Sequence, residues 1–328
     1  MTLANGRIQP RPPSETSRPT PMPPDAASVL LPGPWEHRFI SANGCRFHVA
    51  EVGDGPLVLL MHGFPQFWYA WRHQMLALAD AGYRAVAMDL RGYGASDKPP
   101  RGYDTYTATA DATKVIRALG EEQAVVLGHG IGGFVAWCMP TLQPGTARAI
   151  GSLAMPHPRV VRRASFVDPR QRRASHYLLG LQRPFVPERA MARGDDYVGN
   201  LMRAWASPFG DFPTDHDVRR YADSMALPFV AHSAAESYRW FGRSQVRQDG
   251  PLFNRRIRGR IRQPVLHLQG TEDGCIVAEA CHGSRRYTAG RYDHIAIDGA
   301  GHFLAEESPE RVSSTIVDWL DDLGPAGG

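Results

Sequence analysis

Six short runs, apolar for nearly their whole length, recur along this chain: Leu57–Met61, Ala85–Met88, Ala124–Leu127, Ile150–Ala154, Val265–Leu268 and His294–Ile297. A strand with one face in water alternates apolar and polar residues, so runs without that alternation belong to strands covered on both faces. Most of them lead into a polar or glycine-rich loop and then a helix-like segment. That rhythm is the signature of a parallel sheet with helices on either side. The expected fold class is therefore α/β, with a mostly parallel central sheet flanked by helices. Ahead of these runs, His37–Ile40 and Cys45–Val49 flank Ser41-Ala42-Asn43-Gly44. The Asn-Gly pair supplies the positive φ angles of a tight hairpin turn.

The rhythm breaks between residues 157 and 262, where aromatic and arginine-rich helical patterns such as Ser175–Leu181 and Ala231–Gln245 replace buried strands. This stretch reads as a helical lid, or cap, inserted between two strands. The core then comprises residues 35–156 and 263–328. Ligands of open parallel sheets bind at the carboxyl ends of the strands, and a cap there encloses a pocket and excludes water. Residues 1–34, rich in proline and polar side chains, read as a disordered leader. Val29-Leu30-Leu31 is too short for the apolar stretch of a secretory signal, so a cytoplasmic location is expected.

With 43% apolar and 21% charged residues, the chain can bury a packed core. Its net charge is +4, and only Lys98 and Lys114 among the basic residues are lysines. The arginines are spread out apart from a denser stretch from Arg159 to Arg173, so nucleic acid is not the expected partner. No run reaches the length of a membrane span. Cys45, Cys138, Cys275 and Cys281 form no CxxC pair and have no histidine cluster beside them, so neither a disulfide framework nor a metal is expected.

Four segments carry chemistry. Gly128-His129-Gly130-Ile131-Gly132-Gly133 follows a strand and opens a helix, the setting of a nucleophile elbow, which places its apex residue in an unfavourable backbone conformation. Gly130 sits at the apex and has no side chain with which to attack. His62-Gly63-Phe64-Pro65 follows an earlier strand. In this architecture its loop gives one backbone N–H to an oxyanion hole, assigned to Phe64, and Ile131, after the apex, gives the other. His62 and Pro65 are expected on the wall of the substrate pocket. Gly299-Ala300-Gly301-His302-Phe303 places His302 in a glycine-rich loop at a strand end, suited to a general base. Gly270-Thr271-Glu272-Asp273 offers an acid to orient it: Asp273, or Glu272 in its place.

With Asp89-Leu90-Arg91-Gly92-Tyr93-Gly94-Ala95-Ser96-Asp97-Lys98-Pro99, these segments resemble the α/β-hydrolase superfamily, and more closely its epoxide-hydrolase branch. The resemblance spans roughly residues 35 to 322 and implies an α/β-hydrolase fold. It also implies a mechanism. An elbow aspartate attacks the epoxide to give an ester, a histidine–acid pair activates the water that hydrolyses it, and two cap tyrosines donate hydrogen bonds to the epoxide oxygen. Tyr177, in Tyr177-Leu178-Leu179-Gly180, matches the first tyrosine, and Tyr238, in Ser237-Tyr238-Arg239-Trp240, the second. The departure lies at the apex: the family has aspartate where this chain has Gly130, and usually tryptophan where it has Ile131. No replacement nucleophile is obvious. Ser152 is in a strand, Cys138 lies two turns down the elbow helix, and His129 should point away from the pocket.

Two readings remain. In one, His302 and Asp273 activate water directly, Tyr177, Tyr238 and the oxyanion hole polarise a small apolar epoxide or ester-type substrate, and no cofactor is needed. In the other, the capped pocket binds an apolar ligand without turning it over. Nucleic-acid binding through the arginine-rich cap is the least favoured.

Overall fold

The run Leu57–Met61 forms strand β3, and its alternate side chains enter two different cores. Val58 and Leu60 pack with Met75, Leu78, Ile316 and Trp319. Leu57, Leu59 and Met61 pack with Ala112, Val115, Ile116 and Val135. All five are buried, each at most 3% exposed. Each such side chain stabilises the fold by roughly 1.5–3 kcal/mol when removed from water, which holds a strand without polar residues at the centre of the sheet.

The structure, a computed structural model, describes residues 24–193 and 195–324. Its strands are β1 (Glu36–Ala42), β2 (Cys45–Val52), β3 (Leu57–Met61), β4 (Arg84–Met88), β5 (Ala124–His129), β6 (Ala147–Leu153), β7 (Val265–Gly270) and β8 (Tyr292–Ile297). They form one sheet in the order β1-β2-β4-β3-β5-β6-β7-β8. Only β1–β2 and β2–β4 are antiparallel. The hairpin closes at Ala42 opposite Cys45, with Asn43 and Gly44 at φ 45° and 73°.

The helices that follow are α1 (Arg72–Asp80), α2 (Thr105–Ala118) and α3 (Ile131–Leu142), then α4 (Pro158–Val167), α5 (Pro169–Ala174), α6 (Tyr177–Leu181), α7 (Val186–Ala192), α8 (Asp195–Trp205), α9 (Asp215–Ala226), α10 (Val230–Ser244) and α11 (Asp249–Arg256), and last α12 (Leu304–Glu307) and α13 (Pro309–Asp322). The helices α4 to α11 all fall between β6 and β7, so this stretch is a helical insertion. Its interior is tied by Arg239, whose guanidinium meets Glu188 at 2.6 Å and Glu236 at 3.0 Å and donates to the carbonyls of Leu181 and Arg183. One buried cation thereby joins α6, α7 and α10.

Order begins earlier than Trp35. Residues 1–23 of the expected leader lie outside the described residues, but residues 24–34 pack on the core. Val29 is buried, the Trp68 indole N–H donates to its carbonyl at 2.8 Å, and Trp35 donates to Leu31. A short apolar triplet carries too little periodicity to announce this docking; its partners, Trp68 and His37, lie outside it.

Candidate active site

Strands β3 and β5 are neighbours, yet the helices after them leave to opposite faces, α1 toward β4 and α3 toward β6. A crevice opens at the carboxyl ends of strands at such a switch point. The loop after β3 supplies Phe64 to it, and the turn after β5 supplies Gly130 and Ile131.

Gly130 caps α3 with φ 52° and ψ −116°. Its N–H donates to Leu153 at 3.0 Å and its carbonyl accepts from Phe134 at 2.9 Å, so the strained turn is fixed from both sides. Close packing of helix on strand completes the turn: a Cβ at Gly132 would fall 2.3 Å from the Met61 carbonyl oxygen. At Gly130 itself a Cβ would find only ordinary contacts, Gly63 Cα at 3.5 Å and His302 Nε2 at 3.6 Å. The backbone thus holds the elbow conformation and leaves side-chain space facing the His302 ring.

His302 is buried, and its Nδ1 lies 3.1 and 3.0 Å from the two oxygens of Asp273. Nδ1–H therefore donates to the carboxylate, and the Nε2 lone pair points toward Gly130. Asp273 also accepts from the N–H groups of Cys275 and Ile276 at 2.8 Å and from the Gln269 amide at 2.8 Å. Among the described residues the Glu272 carboxylate reaches only the Thr271 hydroxyl at 3.5 Å, so the acid facing His302 is Asp273.

The loop bearing His302 is held by a residue whose role the sequence did not announce. Glu307 accepts from the N–H groups of Gly301, Phe303 and Ser207 at 2.7–2.8 Å. Burial pushes its carboxyl upward in pKa, and those three N–H groups work against that shift. Trp205, at the end of α8, accepts from the N–H of His302 at 2.9 Å and of Gly274 at 3.2 Å. The inserted helices are thus bonded to both the histidine loop and the acid loop.

A cavity of about 40 Å³ lies over Gly130, lined by Phe64, Ile131, Tyr177, Tyr238 and His302 together with Phe134, Met155, Trp205, Phe241 and Cys275. Among the described residues no hydrogen bond engages the N–H of Phe64 or Ile131, the pair assigned to the oxyanion hole. The Tyr177 and Tyr238 rings meet edge to face, 5.8 Å between centroids. Burial pushes both phenols well above their usual pKa, so they stay protonated and able to donate. The cavity shares Phe134, Met155, both tyrosines, Phe241 and Cys275 with a larger, mainly apolar chamber of about 350 Å³.

His62 and Pro65 depart from expectation, since neither is on the cavity wall. His62 is fully buried behind the loop, its Nδ1 donating to the Gly63 carbonyl at 2.9 Å and its Nε2 accepting from the Leu90 N–H at 3.1 Å. The loop offers the cavity its backbone and the Phe64 ring, and the imidazole fixes its shape. His129 likewise stays off the wall, bonding the His302 carbonyl at 2.8 Å. Cys275 is on the wall, but burial and then the Asp273 charge push its thiol well upward in pKa, which withholds the thiolate a nucleophile needs. Neither Cys275 nor Trp205 carried a recognisable signal: each reaches the cavity through contacts distant in sequence. Among the described residues no group of three His, Cys, Asp or Glu side chains converges as a metal site requires, and no helix is long and apolar enough to cross a membrane.

Comparison with known proteins agrees with this fold. Residues 57–315 match the model of the alpha/beta hydrolase family. An AB hydrolase superfamily protein of Bacillus subtilis, YfhM, is 33% identical over 288 residues, which span 86% of this chain and 97% of that protein. Epoxide hydrolase A of Mycobacterium tuberculosis is 31% identical over 319 residues, spanning 87% and 97%. Among solved structures, an epoxide hydrolase from an endophytic Streptomyces superposes with a TM-score of 0.74 at 31% identity, covering 89% of this chain and 97% of its own.

Proposed function

The chain belongs to the α/β-hydrolase family, with epoxide-hydrolase-like relatives, and from that premise we propose that it hydrolyses a small apolar epoxide or ester-type substrate with water held beside Gly130 and activated by His302. The observation that carries this reading is the 3.6 Å between His302 Nε2 and the point where a Gly130 side chain would begin. A water there sits where the family's attacking carboxylate would stand, and the cavity has room for it. His302 Nε2 takes its proton, and Asp273 stabilises the resulting imidazolium. With an epoxide, the water oxygen bonds to a ring carbon as that carbon's bond to oxygen breaks, and Tyr177 or Tyr238 hydrogen-bonds the oxygen released. With an ester, the water oxygen adds to the carbonyl carbon, the N–H groups of Phe64 and Ile131 hold the oxyanion, and its collapse breaks the bond to the alcohol oxygen. In both routes the oxygen released takes the proton from the His302 imidazolium, which returns the base to its starting state. No cofactor enters either step.

A panel of apolar epoxides and esters, assayed with wild type, His302→Ala and the Tyr177→Phe/Tyr238→Phe double variant, tests this. Turnover should fall at least about a hundredfold without the general base, and epoxide opening should fall in the tyrosine variant. Equal traces in wild type and His302→Ala would instead favour a binding protein. That second reading rests on Gly130 itself, which relieves the strain of the turn and leaves no attacking group. Its mark would be an apolar ligand that raises the melting temperature and is recovered unchanged.

A further inference from the structure

Charge is unevenly shared between the sheet core and the inserted helices. Residues 157–262 hold 20 arginines and 10 aspartates and glutamates, a net charge of +10, so a chain of net +4 leaves −6 for the rest. The excess concentrates where the chamber opens. In 158–182 and 230–256, the two stretches that supply its wall from the insertion, 11 arginines stand against three acids, Asp168, Glu236 and Asp249. Asp168 is held by Arg170, and Glu236 by Arg239 and Arg243. The same rim exposes apolar side chains. Helix α4 turns Ala164 inward and leaves Arg162, Arg163, Phe166 and Val167 outside. Phe166 and Leu179 line the chamber yet are 66% and 65% exposed, and Val246, 89% exposed, follows Gln245 of the same wall. Arg162 joins these helices at the rim: its Nη2 donates to Gln245 Oε1 at 2.8 Å, and its guanidinium lies 5.9 Å from the Phe166 ring centre. Large apolar side chains gathered in water around one opening mark an interaction site.

We propose that this face of the inserted helices docks on an anionic phospholipid bilayer, with its arginines on the lipid phosphates and Phe166, Leu179 and Val246 at the boundary between headgroups and acyl chains. Guanidinium groups pair with phosphate through charge-assisted hydrogen bonds. A surface that mixes cationic with apolar side chains finds a complement for both at that boundary. Nucleic acid would satisfy the arginines and leave the three apolar side chains in water, and a second copy of this chain would bring like charges together. Docking sets the mouth of the chamber against lipid, so an apolar molecule enters it without crossing water. The inference concerns the outer face and holds whether or not the pocket turns a substrate over.

Co-sedimentation of the full chain with vesicles of phosphatidylcholine alone, and of phosphatidylcholine and phosphatidylglycerol in equal parts, tests this at low and high salt. Three variants accompany wild type: Arg162→Gln/Arg163→Gln/Arg247→Gln, Phe166→Ser/Leu179→Ser/Val246→Ser, and Arg117→Gln/Arg311→Gln on the sheet core. All eight side chains are exposed, so the variants should fold. At low salt wild type should bind the mixed vesicles at least about tenfold more tightly than phosphatidylcholine alone, and it should lose that preference at high salt. On mixed vesicles the first variant should lose roughly a hundredfold, the second about tenfold, and the third about twofold or less. Equal binding to both vesicles by wild type, or either of the first two variants binding as wild type does, would overturn the proposal. So would a loss in the core variant as large as in the first, a duplex DNA bound more tightly than the mixed vesicles, or a dimer in vesicle-free solution that the serine variant separates.

Discussion

Gly130 occupies a backbone conformation that costs a residue with a Cβ about 1–3 kcal/mol, in a turn whose surroundings would accept that Cβ. Gly130→Asp is therefore expected to fold, with stability lowered by that amount in urea denaturation, and to place a carboxylate against His302. Combined with His302→Ala, which removes the base for the second step, it should accumulate an ester with an epoxide substrate, seen as a mass increase equal to the substrate on the intact protein. A folded double variant that never gains this mass would mean that the tyrosines do not present an epoxide to the apex. Gly130, Asp273 and His302 sit in local motifs at strand ends, whereas Tyr177 and Tyr238 come from the family resemblance alone; Gly130, His302 and both tyrosines meet at one cavity, with Asp273 bonded to His302. His62 departs from expectation because a motif shows which residues occur, not whether the side chain or the backbone faces the site; here the imidazole bonds Gly63 and Leu90.

Among the elements, the strands were legible because a strand covered on both faces needs no partner to be recognised, only unbroken apolarity. The bonds that fix the inserted helices to the core were not legible, since they join residues far apart in the chain. Glu307 reaches Ser207 across a separation of 100 residues, and Tyr221 of α9 donates to Glu306 at 2.7 Å. Glu307→Ala strips three N–H groups of their acceptor at once and should cost roughly 2–4 kcal/mol. It should also lower turnover by releasing the His302 loop, while Glu307→Gln, which keeps one acceptor oxygen, should restore part of both losses. Unchanged stability in Glu307→Ala would show that these three bonds contribute little to holding the loop.

Over the whole molecule, burial sets the response to acid. His157 and His267 are buried, and desolvation pushes both down to about 3. A base whose folded pKa lies below its unfolded value of 6.5 leaves stability intact above pH 6.5 and removes it as pH falls toward 3. By pH 4.5 each should have cost roughly 2–3 kcal/mol. Glu306 and Glu307, raised by burial, act in the opposite sense: their contribution is complete below the usual carboxyl value and is lost as pH rises through their raised ones. Urea denaturation from pH 7 to 4 should show a steep loss of stability, shallower in His157→Gln/His267→Gln. An equal slope in both proteins would mean that these histidines take up protons as readily in the folded state as in the unfolded one.

In the proposed mechanism water, not a protein carboxylate, makes the attack at Gly130. Its most direct test is a single turnover of an epoxide substrate in oxygen-18-labelled water with enzyme in excess, followed by mass analysis of the diol. Attack by water held at Gly130 puts the label in the diol on the first turnover in wild type, at a rate that collapses in His302→Ala. An unlabelled first-turnover diol, or a labelled one formed equally fast without His302, would contradict it.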